Sequence, residues 1–207
     1  MFASLYITNM YSNIPIREIK QILENILTSD PTDPQIKSEL LNWYEIIKKQ
    51  NYFLNNNKII HQNDGLAMGA PSSSTLSQIF LQNIEHTHLP CLARKHKLIN
   101  YFRFVDDILI IYDSRQTNIH AILNDFNSIH PNLQFTKETE QNNTINYLDV
   151  TINKKLLKVN ISIFRKPTFT DTLIPYTSNH PIQQKYAAIR FLYNRLNSYH
   201  LRGVSQK

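Results

Sequence analysis

Apolar side chains recur along this chain in two rhythms, one of three to four residues and one of two, and the switches between them mark out its elements. Residues 2–7 are short and apolar and predict a strand. Ile16, Ile19, Ile22, Leu23 and Ile26 follow at helical spacing, which predicts an amphipathic helix over 15–29 with Asn13 as its cap and Pro15 in its first turn. Pro31 and Pro34 end it, and a second helix over 35–49 would bury Ile36, Leu40, Leu41, Trp43, Tyr44 and Ile47. A hairpin is expected over 51–61 around Asn55-Asn56-Asn57. A long helix over 73–89, capped by serine and threonine, would turn Leu76, Ile79, Phe80 and Ile84 inward. Residues 101–112 read as strand, two-residue turn and strand, and 116–129 as a helix closed by Pro131. Strands follow at 133–136 and 145–152, apolar alternation continues near 156–164, and helical spacing returns over 181–199. Strands and helices alternate without strict βαβ order, so the fold class is α+β, with a mostly antiparallel sheet packed on helices.

The chemistry-bearing feature of this pattern is Asp106-Asp107, two adjacent carboxylates at the expected tip of the 101–112 hairpin. Such a pair either is screened by water or shares a cation, and magnesium suits it, since that ion takes one or two carboxylates and fills its other positions with water and phosphate. Glycine is rare: two of the three residues, Gly65 and Gly69, fall four apart in front of the helix that starts near Ser73. They serve a positive φ or a close approach, either in a plain turn or beside a phosphate, although the P-loop lysine and the dinucleotide spacing are missing.

Charge adds a second contrast. Residues 1–150 hold 12 Lys+Arg against 15 Asp+Glu, whereas 151–207 hold 10 against 1, so all the excess positive charge lies in the last quarter. That segment suits either a phosphate backbone or a solvated surface. The single cysteine, Cys91, can form no internal disulfide and fits a reducing compartment. No apolar run approaches a membrane span, no secretory signal is visible, and His86 and His88 read as surface residues rather than ligands.

Taken in order, these segments resemble the palm of a reverse transcriptase, in particular that of Penelope-like retroelements, over almost the whole chain. Leu5-Tyr6-Ile7-Thr8-Asn9-Met10-Tyr11-Ser12-Asn13-Ile14-Pro15 is similar to the first palm motif, Gly65 to Ser74 to the second, and Phe104-Val105-Asp106-Asp107 to the third. Leu133 to Glu140 and Asn146-Tyr147-Leu148-Asp149-Val150 resemble the next two, and Phe164 to Asp171 with Ser178-Asn179-His180-Pro181 a tract of the Penelope-like class. Gly69 stands 37 positions before Asp106, and the five motifs keep their order.

The resemblance implies template-directed phosphoryl transfer, in which two magnesium ions serve an RNA template, a DNA primer and deoxynucleotide triphosphates. By the same resemblance Asp106 is the main ligand, Asp107 assists, and the Ile7 backbone carbonyl completes the metal set. Tyr11 would lie against the sugar, and Met68 and Gly69 would border the nascent base pair, with core packing the alternative for Tyr11 and Met68. Residues 1–150 would be a palm with truncated fingers. Residues 151–207 would be a basic connection and the start of a thumb, where Arg165, Lys166, Lys185 and Arg190 meet nucleic acid. No membrane and no disulfide-linked partner is expected. The chain departs from the pattern at one place: Tyr6 stands where the first catalytic aspartate belongs, and Asp64 or Asp149 could substitute only if the fold brought one within reach. The expectation is a fragment or decayed copy with impaired polymerisation. The alternative is a catalytically inactive nucleic-acid-binding remnant.

Overall fold

The computed structural model describes residues 1–155, 158–168 and 173–198. Leu156, Phe169 to Asp171 and Tyr199, all part of expectations above, lie outside the described residues. The chain divides into two units, Met1–Gln141 and Asn142–Lys207. Among the described residues no helix is long and apolar enough to cross a membrane.

The first unit is built on a four-stranded antiparallel sheet in the order β4-β5-β1-β6, with β1 Phe2–Ile7, β4 Leu98–Phe104, β5 Asp107–Tyr112 and β6 Phe135–Thr139. Period-two alternation divides its side chains. Ala3, Leu5 and Ile7 of β1 lie on the inner face, where Ala3 and Leu5 pair in register with Ile110 and Ile108 of β5, all of them buried. They share one core with Ile19 and Ile22 of α2 (Ile16–Ser29), Phe80 and Leu81 of α4 (Pro71–Lys95), and Ile122 and Phe126 of α5 (Ile119–Asn127). Each fully buried Ile, Leu or Phe contributes roughly 1.5–3 kcal/mol, so this layer of helices on sheet is what holds the unit together.

Several boundaries differ from expectation for identifiable reasons. Asn13 does not cap α2. It ends the short helix α1 (Met10–Asn13) and donates from its side chain to the Thr8 carbonyl at 3.3 Å. The free N–H of Ile16 at the start of α2 is met instead by Asp64 Oδ1 at 2.9 Å, a cap supplied from 48 residues away. The long helix begins at Pro71 with Ala70 as its N-cap, while Ser73 turns its hydroxyl back to the Ala67 carbonyl at 2.6 Å. It also runs past Pro90. The ring removes one helical bond on an exposed side, and Leu92, buried two residues on, keeps the last turns on the core.

The second helix of the pattern, α3 (Pro34–Lys49), forms where expected, but only Tyr44 of its apolar face is buried. Ile36, Leu40, Trp43 and Ile47 are exposed. The hairpin of β2 (Tyr52–Asn55) and β3 (Lys58–His61) turns on Asn56-Asn57, both at positive φ, as a two-residue primed turn requires.

In the second unit, residues 145–152 do not make one strand. They fold at Leu148-Asp149 into β7 (Thr144–Tyr147) and β8 (Val150–Lys155), and β9 (Lys158–Ile163) completes a three-stranded antiparallel sheet. Leu148 adopts φ 52°, a conformation that its sequence neighbours do not announce. The helix α6 (Ile182–Ser198) exposes Ile182, Tyr186, Ile189 and Leu192, the residues whose spacing predicted it.

Candidate functional site

The site forms where β1 meets the β4–β5 hairpin. The turn lies one residue earlier than the pattern suggests: Phe104 pairs with Asp107, so Val105 and Asp106 are the central residues and Asp107 opens β5. Val105 sits at φ 55°, where a β-branched side chain is strained by about 1–3 kcal/mol. Two anchors hold it there. The Ile7 N–H donates to the Asp106 carbonyl at 3.0 Å, and Arg103 Nη1 donates to the Val105 carbonyl at 3.2 Å.

Arg103 is the buried brace of this tip. Its side chain is 5% exposed and grips Glu85 of α4 with both edges, Nε to Oε1 at 2.6 Å and Nη2 to Oε2 at 2.9 Å. Gln78 accepts a further bond from Nη1 at 2.9 Å, and the Tyr101 hydroxyl donates to Glu85 Oε1 at 2.7 Å. Burial alone would raise the Glu85 carboxyl, but the hydrogen bonds from Arg103 and Tyr101 and the guanidinium charge outweigh it and hold the group below its ordinary value. Hydrophobic patterning did not lead to this cluster. A signal was present, because Tyr101 and Arg103 pair with Ile110 and Ile108 and therefore point to the core side, where a guanidinium needs a carboxylate.

On the opposite face, Tyr6 stands directly across from Asp107. It is 43% exposed, and its hydroxyl is raised above its ordinary value, first by the negative charge of Asp106, then by burial, by the hydrogen bond to Asp106 and by Asp107. At neutral pH it is a protonated phenol beside two carboxylates. The expected group of Tyr6, Ile7, Asp106 and Asp107 is therefore brought together. No third His, Cys, Asp or Glu joins the pair, since no such triplet occurs among the described residues. Asp64 is engaged elsewhere, accepting from the N–H groups of Ile16 and Gly65, both at 2.9 Å.

A second contact places the glycine segment. The Leu66 N–H donates to the Tyr11 carbonyl at 2.7 Å, and Gly65 passes so close to Ser12 that any Cβ would collide with the Ser12 carbonyl. Tyr11 is half-buried against the core, whereas Met68 is 77% exposed and so does not pack in it. At Gly69, with φ 87°, a Cβ would enter open space, with no atom within 4 Å. Gly65→Ala is therefore expected to destabilise the fold by at least about 2 kcal/mol, from backbone strain plus overlap. Gly69→Ala should cost only about 1 kcal/mol, for φ alone. Equal shifts in urea midpoint for the two variants would contradict the close approach.

In the second unit Arg165, Lys166 and Arg190 are exposed. Lys185 is committed to Tyr176, donating to its carbonyl at 2.6 Å and lying 5.2 Å from its ring centre.

Comparison with known proteins bears on the family and the fold. A family model described as reverse transcriptase (RNA-dependent DNA polymerase) matches residues 1–152. The fold is similar to apo telomerase from Candida tropicalis truncated from its C-terminal domain, with TM-score 0.60 and 13% identity over 78% of this chain and 35% of that one. Telomerase from Candida tropicalis in complex with the TWJ fragment of telomeric RNA gives TM-score 0.60 and 12% identity over 95% of this chain and 34% of the other. The Candida albicans complex with the TWJ fragment gives 0.57 and 14% over 77% and 31%. The chain thus spans about a third of the length of these structures. No curated protein sequence matches it. Over residues 1–152 the chain belongs to the reverse transcriptase (RNA-dependent DNA polymerase) family.

Proposed function

We propose that the chain is the palm of a Penelope-like reverse transcriptase in which the catalytic centre is one carboxylate short. The observation that carries this reading is the register: residue 6 lies opposite Asp107, and the negative charge of Asp106 beside it keeps its hydroxyl protonated. In this reading Asp106 and Asp107, with the Ile7 carbonyl, are the metal-holding set, and Tyr11, Met68 and Gly69 line the nucleotide's place. Two magnesium ions, where bound, stabilise the attacking and leaving oxygens of phosphoryl transfer. A phenol held protonated does not fit as the bridging donor between them. Two carboxylates remain, a donor set suited to a single hard cation. Polymerisation of deoxynucleotides on an RNA template and DNA primer is accordingly impaired. The RNA bound by Candida telomerases of similar fold supports an RNA partner. Magnesium-dependent primer extension by the natural chain and by Tyr6→Asp, measured side by side, tests the reading.

The charge contrast favours a second activity that needs no catalysis, binding of nucleic acid through the basic segment, which carries 10 Lys+Arg against 1 Asp+Glu after residue 150. Affinity for a duplex or single strand should then fall steeply with salt, and neutralising Arg165 and Lys166 together should lower the log–log salt slope by about 1–2. Asp106→Asn should leave this binding in place. Equal affinity at low and high salt would overturn it.

A further inference from the structure

The helix α3 carries two lines of apolar side chains. Tyr44 is buried and Leu41 half-buried, and this line fastens the helix to the first unit. Beside it Ile36, Leu40, Trp43 and Ile47 stand open to solvent, Trp43 the most at 66% exposed. Their intervals are four, three and four residues, the spacing of a seam between two helices. An open groove of about 240 Å³ runs along the same side, between Leu23 and Leu27 of α2, Leu40, Trp43 and Ile47 of α3, and Leu76 of α4. A contiguous apolar face of this kind, bounded by charged residues, marks an interaction site.

Two properties of the seam select what fits it. Its order of side chains is nearly the same read in either direction, with isoleucine at both ends and the larger Leu40 and Trp43 between them. Laid antiparallel on a second copy about a two-fold axis, Ile36 meets Ile47 and Leu40 meets Trp43, each contact occurring twice, which is the condition for an isologous interface. Charge makes the same choice. Asp30 and Asp33, both exposed, stand at the N-terminal end of α3, and Lys48 and Lys49 in its last turn. Antiparallel packing sets each acidic end beside the basic end of the other copy and opposes the two helix dipoles, whereas parallel packing would set like beside like.

We propose that this face is a homodimer interface, in which two copies of the chain pair their α3 helices antiparallel through Ile36, Leu40, Trp43 and Ile47, and the groove beside α2 takes the second copy's Trp43. None of Tyr6, Asp106 and Asp107 takes part, so the interface does not rest on the polymerase reading.

Trp43 is the single tryptophan of the chain, so its fluorescence reports on the face directly. Sedimentation of the full chain between about 1 and 100 µM should show a reversible monomer–dimer equilibrium, with a dissociation constant on the order of 10 µM for so short a seam, and the Trp43 emission should shift to the blue along the same curve. Leu40→Glu and, separately, Ile36→Lys should each weaken dimerisation by about tenfold or more. Both positions are exposed in the single chain, so the melting of dilute protein should stay where it was. Orientation is read by cross-linking. Ile36→Cys and Ile47→Cys chains, each with the exposed Cys91 changed to serine, should form a disulfide with each other on mixing and not with themselves. A monomer at every concentration with unshifted emission, a dimer that neither Leu40→Glu nor Ile36→Lys weakens, or Ile36→Cys chains that link to one another would overturn the proposal.

Discussion

Tyr6→Asp is expected, on the proposed reading, to raise magnesium-dependent primer extension by on the order of 10³-fold or more, because it adds a third carboxylate beside Asp106 and Asp107. The backbone needs no rearrangement. Position 6 already faces Asp107 across β1 and β5, its side chain is on the open face of the sheet, and the next residue is hydrogen-bonded to the Asp106 carbonyl. The change should also be visible without turnover. Three carboxylates crowded at one tip repel, so the variant should melt lower than the natural chain in the absence of divalent ions and recover when magnesium is added. The natural chain, with a protonated phenol there, should respond to magnesium much less. Extension by the natural chain equal to that of the variant would show that position 6 does not limit catalysis.

Arg103→Ala is expected to cost about 3–5 kcal/mol of stability, the range for removing one partner of a buried ion pair. It strands the Glu85 carboxylate with only the Tyr101 hydroxyl still donating to it, and removes the bond that ties the Val105 carbonyl to the brace. Replacing both partners by apolar residues of similar size, Arg103→Met with Glu85→Leu, should cost markedly less, since no buried charge is then left alone. The pH dependence has a definite sign. The Glu85 carboxyl is held below its unfolded value, so its contribution is fully present above that unfolded pKa and is lost as pH falls through the lower folded one. Acid unfolding of the natural chain should therefore have a component in this window that is absent from the double variant. Urea midpoints at neutral and acidic pH check both statements. Identical acid profiles would remove Glu85 from the account.

The helices and the hairpin around Asp106 and Asp107 were legible in the sequence, because periodicity reports local geometry and which face of an element is apolar. What it does not report is what covers that face. Trp43 and Leu40 obey helical spacing as strictly as Ile19 and Ile22, yet the first two are exposed and the second two buried. Contacts made across long separations were equally hidden. The cap of α2 comes from Asp64, and the one-residue offset of the tip is fixed by Arg103 and Ile7 rather than by the turn residues themselves. Leu148 and Val105 share this character: each is an apolar residue at positive φ just before an aspartate, in a hairpin whose turn chemistry alone would favour glycine or asparagine. Of the candidate site, the Tyr6–Asp106–Asp107 grouping was readable from motif order. The Glu85–Arg103–Tyr101 brace was readable only in the inward phase of two residues on β4.

The hydrogen bond from Ile7 to Asp106 carries a consequence for the history of such chains. It ties the end of β1 to the hairpin through main-chain atoms, which any side chain at position 6 leaves in place. Tyrosine and aspartate codons differ only in their first base, so a single nucleotide change separates this phenol from a carboxylate in an unaltered scaffold. Loss and reversion at that codon would leave the surrounding architecture unmarked.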